Sequence, residues 1–102
     1  MKLKRIKKLK VNSFEFRVNW TKKHDGGSVS YKKELITIGT LDGQETAIFM
    51  IVCHELWELC AIEMGVRLSR EDCDDDFMFV YDHRQHTTMI DMFSGLLAQF
   101  IE

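Results

Sequence analysis

Residues 47–62 read A-I-F-M-I-V-C-H-E-L-W-E-L-C-A-I, sixteen positions without Gly or Pro, in which the only ionisable groups besides two thiols are His54, Glu55 and Glu58. A run this apolar and uninterrupted is best read as a helix buried on nearly all sides. Taking a lone carboxylate out of water costs several kcal/mol. Two acids and an imidazole therefore persist in such a helix only where something compensates them, and a bound cation compensates all three together.

The spacing fits that account. Residues four apart on a helix stand one turn above each other, so His54 and Glu58 can reach a common point. Glu55 lies about 100° around the helix, placed to face a water on the ion without binding the ion itself. H-E-L-W-E differs by one letter from H-E-x-x-H, in which two His hold zinc and the Glu acts as general base. Glu58 stands at the changed letter, and carboxylate oxygen is an ordinary zinc ligand, although its charge weakens the Lewis acidity of the metal. The competing reading is a hydrogen-bonded His54–Glu58 pair with Glu55 reaching out at the edge of the helix.

At 102 residues the chain is expected to form one domain, residues 1–102, of which residues 1–13 are a basic N-terminal segment. A hydrophobic content of 45%, a charged content of 29% and a net charge of −2 are those of a globular domain without a global bias toward nucleic acid. The first ten residues, M-K-L-K-R-I-K-K-L-K, hold six Lys or Arg. They read as a charge-protected edge strand or terminal segment in preference to a nucleic-acid contact. Their isolated apolar letters form no secretory h-region. The apolar helix falls short of the roughly 20 residues of a membrane span. Cys53, Cys60 and Cys73 form no C-x-x-C pair, and an odd count argues against a disulfide framework, so a reducing cytoplasm is the expected compartment. Cys53 and Cys60, seven apart, share the side of the helix away from His54 and read as core packing.

Elsewhere the pattern predicts an α+β fold. Phe14, Phe16, Val18 and Trp20 alternate with polar residues, Val29 and Tyr31 continue the alternation, and Leu35, Ile36 and Ile38 supply a further strand, together suggesting a small antiparallel meander. Asp42 or Thr40 is a candidate cap for the long helix, which should run to about Met64 and stop at Gly65. The acid-rich residues 69–76 read as a solvated loop, lacking the spacing of an EF-hand calcium site. Residues 77–81 suggest one more strand, and Asp82 an N-cap. Met89, Ile90, Phe93, Leu96, Leu97 and Phe100 then recur at helical spacing, giving a C-terminal amphipathic helix packed, like the sheet, on the H-E-L-W-E helix. His83 and His86 extend its buried face, and either can complete a metal set with His54 and Glu58. His83, at the strand-to-helix junction, is the preferred third ligand, with Asp82 and Asp91 as acceptors for a ring N–H. His24 lies in a Gly-rich loop and is expected to be exposed.

A small sheet, a helix bearing H-E-L-W-E, a strand and a second helix resemble a minimal zincin domain. More narrowly, the chain resembles the short zincin-like proteins of phages and mobile elements related to the ImmA/IrrE metallopeptidases. Those sequences run F-x-V-x-W, a Gly-containing loop, I-x-I-G, then H-E-x-x-E or H-E-x-x-H; here the stretches are residues 16–20, Gly26 and Gly27, residues 36–39 and residues 54–58, with F-V-Y-D-H at residues 79–83 downstream. The resemblance implies His54 and Glu58 as zinc ligands, His83 as the third, and Glu55 as the base acting on a metal-activated water. It implies a metallopeptidase, a hydrolase of peptide or protein substrates. The alternative is a catalytically inactive zincin-fold module of a phage or mobile element that docks a protein partner.

Overall fold

Alternation along the N-terminal half becomes four strands, β1 (Lys8–Val11), β2 (Phe14–Thr21), β3 (Gly27–Ser30) and β4 (Leu35–Gly39), followed by helix α1 (Glu45–Glu63), a hairpin of β5 (Arg67–Arg70) and β6 (Cys73–Phe79), and helix α2 (His83–Ala98). The structure is a computed structural model that describes residues 2–70 and 73–102, with residues 68–70 and 73–77 described by their backbone alone. The result is a small α+β fold with a four-stranded mixed sheet.

The sheet order is β1-β2-β4-β3, which corrects the antiparallel meander expected from the sequence. β1 joins β2 through a two-residue turn in which Asn12 takes a left-handed φ of 54°. β3 pairs with β4 antiparallel, as the meander would have it. β4, however, inserts between β2 and β3 and runs parallel to β2, from Arg17 opposite Leu35 to Thr21 opposite Gly39. Burial explains the order. Ile36 and Ile38 are fully buried, so β4 stabilises the core most at the centre of the sheet; β3 is G-S-V-S, carries only one sizeable apolar residue, and goes to the edge. The loop before β3 must then pass over the end of β4. It does so against Gly39, whose N–H donates to the Gly26 carbonyl at 2.7 Å and where a Cβ would collide with the His24 and Gly26 carbonyls.

One face of the sheet buries Leu9, Val11, Phe16, Val18, Ile36 and Ile38 in a core that includes Ile48, Val52, Leu56 and Leu59 of α1. At roughly 1.5–3 kcal/mol for each fully buried large aliphatic or Phe side chain, this layer is what fixes α1 over β4 and β3. Residue 44 rather than 40 or 42 caps α1. Gln44 makes no side-chain cap bond, and Asp42 instead accepts the Gln44 N–H at 3.2 Å, because the Thr40–Gly43 turn delays the helix by two residues. The C-terminal end is as expected, with Met64 as C-cap one residue before Gly65.

Residues 67–79 correct a second expectation. β6 contains residues 77–79 of the strand expected at 77–81, but residues 69–70 and 73–76, expected in a solvated loop, are strand as well: Arg67 pairs with Phe79, Leu68 with Met78 and Ser69 with Phe77, with a register irregularity between Ser69 and Arg70. Aspartate is depleted in strands, which hid the hairpin, but a two-stranded edge tolerates it. A calcium site at residues 69–76 would rest on side chains that lie outside the described ones. Asp82 caps α2 through a complete capping box: its Oδ1 accepts the Gln85 N–H at 2.8 Å and its own N–H donates to Gln85 Oε1 at 3.0 Å. Among the described residues, no helix is long and apolar enough to cross a membrane.

Candidate metal centre

Helical geometry brings His54, Glu55 and Glu58 together in the middle of α1, and one ligand atom from each lies within 4.8 Å of the others. His54 Nε2 stands 3.1 Å from Glu58 Oε2 and 3.9 Å from Glu55 Oε2. In a tetrahedral zinc site with bonds of about 2.0–2.1 Å, neighbouring ligand atoms stand about 3.3 Å apart. The His54–Glu58 distance is within tenths of an ångström of the spacing such an ion needs, and is equally that of the hydrogen-bonded pair of the competing reading. Glu55 is further off, at a distance suited to a group that faces a water.

Burial divides the three sharply. The His54 side chain is 70% exposed, Glu58 23% and Glu55 only 6%. This corrects the expectation that α1 is buried on nearly all sides, since Met50 and His54, one turn apart, open to solvent, and it corrects the competing reading's placement of Glu55 at the helix edge, since Glu55 is sunk and His54 stands at the rim. Burial is the main reason the Glu55 carboxyl is pushed above its usual pKa; the charge of Glu58 adds to this, and His54 and Arg67 oppose it.

The room for Glu55 comes from the sheet. A Cβ on Gly27 would lie 2.8 Å from Glu55 Cγ and 2.7 Å from the Thr37 carbonyl oxygen, so Gly27 is the residue that lets the carboxylate slide under β3. Gly26, Gly27, Met50, Ile51, His54 and Glu55 line an open cleft of about 440 Å³. Its wall is the edge strand β3, with no described strand pairing on its outer side. Sequence reasoning missed Gly27, Met50 and Arg67 as parts of this site. A G-G pair opening a short strand was the available signal for the close approach, but nothing in the pattern said that β3 would lie beside α1.

His83 and His86 take a different position. Both are exposed on the first turn of α2, outside the His54–Glu55–Glu58 cluster. Their ring centroids are 6.4 Å apart; His86 stacks on Tyr81 at 5.8 Å and meets the edge of Trp57 on α1 at 6.4 Å. Trp57 also contacts Phe93, which ties α2 to α1. Asp82 is occupied as the α2 cap, Asp91 is exposed, and His24 is exposed with its Nδ1 3.0 Å from the Asp25 carbonyl. Cys60 is fully buried, which with the charge of Glu63 pushes its thiol up to about 11; Cys53 is half-buried, its thiol likewise raised by burial. Beneath the site, the Tyr31 hydroxyl donates to Glu63 at 2.5 Å, joining the end of β3 to α1.

The His54, Glu55 and Glu58 group could hold a metal ion. No family model, curated protein or solved structure matches this chain.

Proposed function

We propose that this is a zincin-like, zinc-dependent metallopeptidase domain in which His54 and Glu58 hold the ion and Glu55 is the general base. The observation that carries the reading is the split within the cluster: a His–Glu pair already at ligand spacing, and a third carboxylate set back, buried and raised in pKa beside an open cleft. A divalent zinc ion there would supply Lewis acidity and lower the pKa of water. Glu55, less acidic than a free carboxylate, is suited to take a proton from water and return it to the leaving amine. Edge strand β3 can pair with an extended peptide through its outer backbone groups, laying the scissile carbonyl over the cleft. Such a site accepts peptide or protein segments without deep side-chain pockets.

The test is the metal content of protein purified without added metal or a His-tag. Wild type should carry near-stoichiometric zinc, and His54→Ala should lose it. Glu55→Gln should keep the metal and lose peptide hydrolysis by at least about a hundredfold. Retained cleavage by that variant removes the mechanism. A second reading, a zincin-fold module that docks a protein partner without catalysis, is favoured by the exposure of His54 and by His83 and His86 lying outside the cluster. It predicts no hydrolysis of any peptide library by metal-loaded wild type, with His54→Ala changing stability alone.

A further inference from the structure

Charge is divided unevenly along the chain: residues 1–33 hold eleven Lys or Arg against two acids, and residues 34–102 hold three against fourteen. The fold gathers four of those cations, Lys8, Lys10, Arg17 and Lys33, on one surface. β1 and β2 contribute Lys8, Lys10, Glu15, Arg17 and Asn19 to the face of the sheet turned away from α1, and all five are exposed. Across the strands Lys8 stands opposite Arg17, while Asn19, Thr37 and Ser28 form the next row. Lys33, in the turn before β4, is exposed and lies beside Arg17, whose Nη2 donates to the Lys33 carbonyl at 3.2 Å; Lys22 lies on the other side of the sheet, where it lines a cavity with Trp20 and Ile48. Lys8, Arg17 and Lys33 line one cavity of about 500 Å³ together with Ser13, Glu15 and Glu34.

We propose that this outer sheet face binds the phosphodiester backbone of a nucleic acid, independently of the α1 cleft. Charge complementarity names the partner. Cations spaced by strand geometry and interleaved with hydroxyl and amide groups are the side chains that contact phosphate and sugar. A lipid surface fits less well, since the most exposed large apolar side chains (Leu41, Met50, Met78, Val80) lie off this face and leave it without an anchor to insert. Protection of the β1 edge accounts for Lys8 and Lys10 but not for Arg17, which lies on an interior strand.

The experiment is fluorescence anisotropy of labelled single-stranded and duplex oligonucleotides with the full chain across a salt series. Four phosphate contacts give a slope of log K against log salt of about −3.6 on the duplex and about −2.8 on the single strand. Arg17→Glu/Lys33→Glu should weaken binding at least tenfold and flatten that slope. Glu15→Gln should strengthen binding severalfold, a gain that misfolding cannot imitate. The proposal is overturned by absence of binding at low salt, by affinity unmoved in these variants, or by capture on phosphatidylserine vesicles with no binding to either oligonucleotide.

Discussion

Gly27 shows how closely the cleft is fitted at the level of single atoms. Gly27→Ala places a methyl 2.8 Å from Glu55 Cγ and 2.7 Å from a backbone oxygen that cannot yield, so a loss of about 1–3 kcal/mol on chemical denaturation is expected. Loss of activity should accompany it, because Glu55 is what must move. Glu55 itself makes stability depend on pH. Below its ordinary value of 4.5 the carboxyl is neutral in folded and unfolded chains alike. As pH rises above 4.5 the unfolded chain ionises first, and the folded chain loses relative stability until its own raised pKa is passed. In chelator, then, Glu55→Gln should gain melting temperature over wild type as pH rises, with no gain below pH 4.5. An advantage that does not change with pH would place its origin elsewhere. Both His54 and Glu58 were legible from their spacing alone, since one turn of helix fixes their approach. Which of the three groups is buried was not legible, because that depends on β3 lying over Glu55, a contact 28 residues away in sequence.

At the level of elements, the two helices are capped unequally. Gln44 has the extended backbone of an N-cap, at φ −86° and ψ 131°, but no side-chain bond to the free N–H groups of α1. Gln44→Asp should therefore stabilise the fold by about 0.5–1 kcal/mol in urea unfolding. Asp82→Ala removes a complete capping box and should cost about 1 kcal/mol. The helices could be read in the sequence because their periodicity and caps are local. Strands β2, β3 and β4 could be placed along the chain for the same reason, but their order could not. Whether β4 or β3 lies next to β2 is decided by comparing two segments for a place under α1, and alternation within each is silent on that contest. Of hairpin β5–β6 the sequence pattern marks only residues 77–79, because acidic residues mark a loop in composition, whereas pairing of Arg67 with Phe79 is a backbone matter.

For the molecule as a whole, an ion bound only by the folded chain adds its binding free energy to folding. Zinc at a hundredfold over its dissociation constant would stabilise by about 2.7 kcal/mol, a rise in melting temperature that wild type should show and His54→Ala should not. The opposed placement of a basic sheet face and an acidic remainder leaves the cleft and that face free to act separately. A last consequence concerns the ends of the fold. Leu3 bridges Ile101, Lys4 N–H donates to the Phe100 carbonyl at 2.7 Å, and Glu102 N–H to that of Lys2 at 3.4 Å. The order in which the chain is threaded is therefore separable from the architecture: a circular permutant, its ends joined by a short Gly-Ser linker and reopened between Lys22 and Lys23, keeps every strand and both helices intact. It should unfold in one cooperative transition and bind metal as the parent does, so that the pairing of the two ends serves as a seam in the fold.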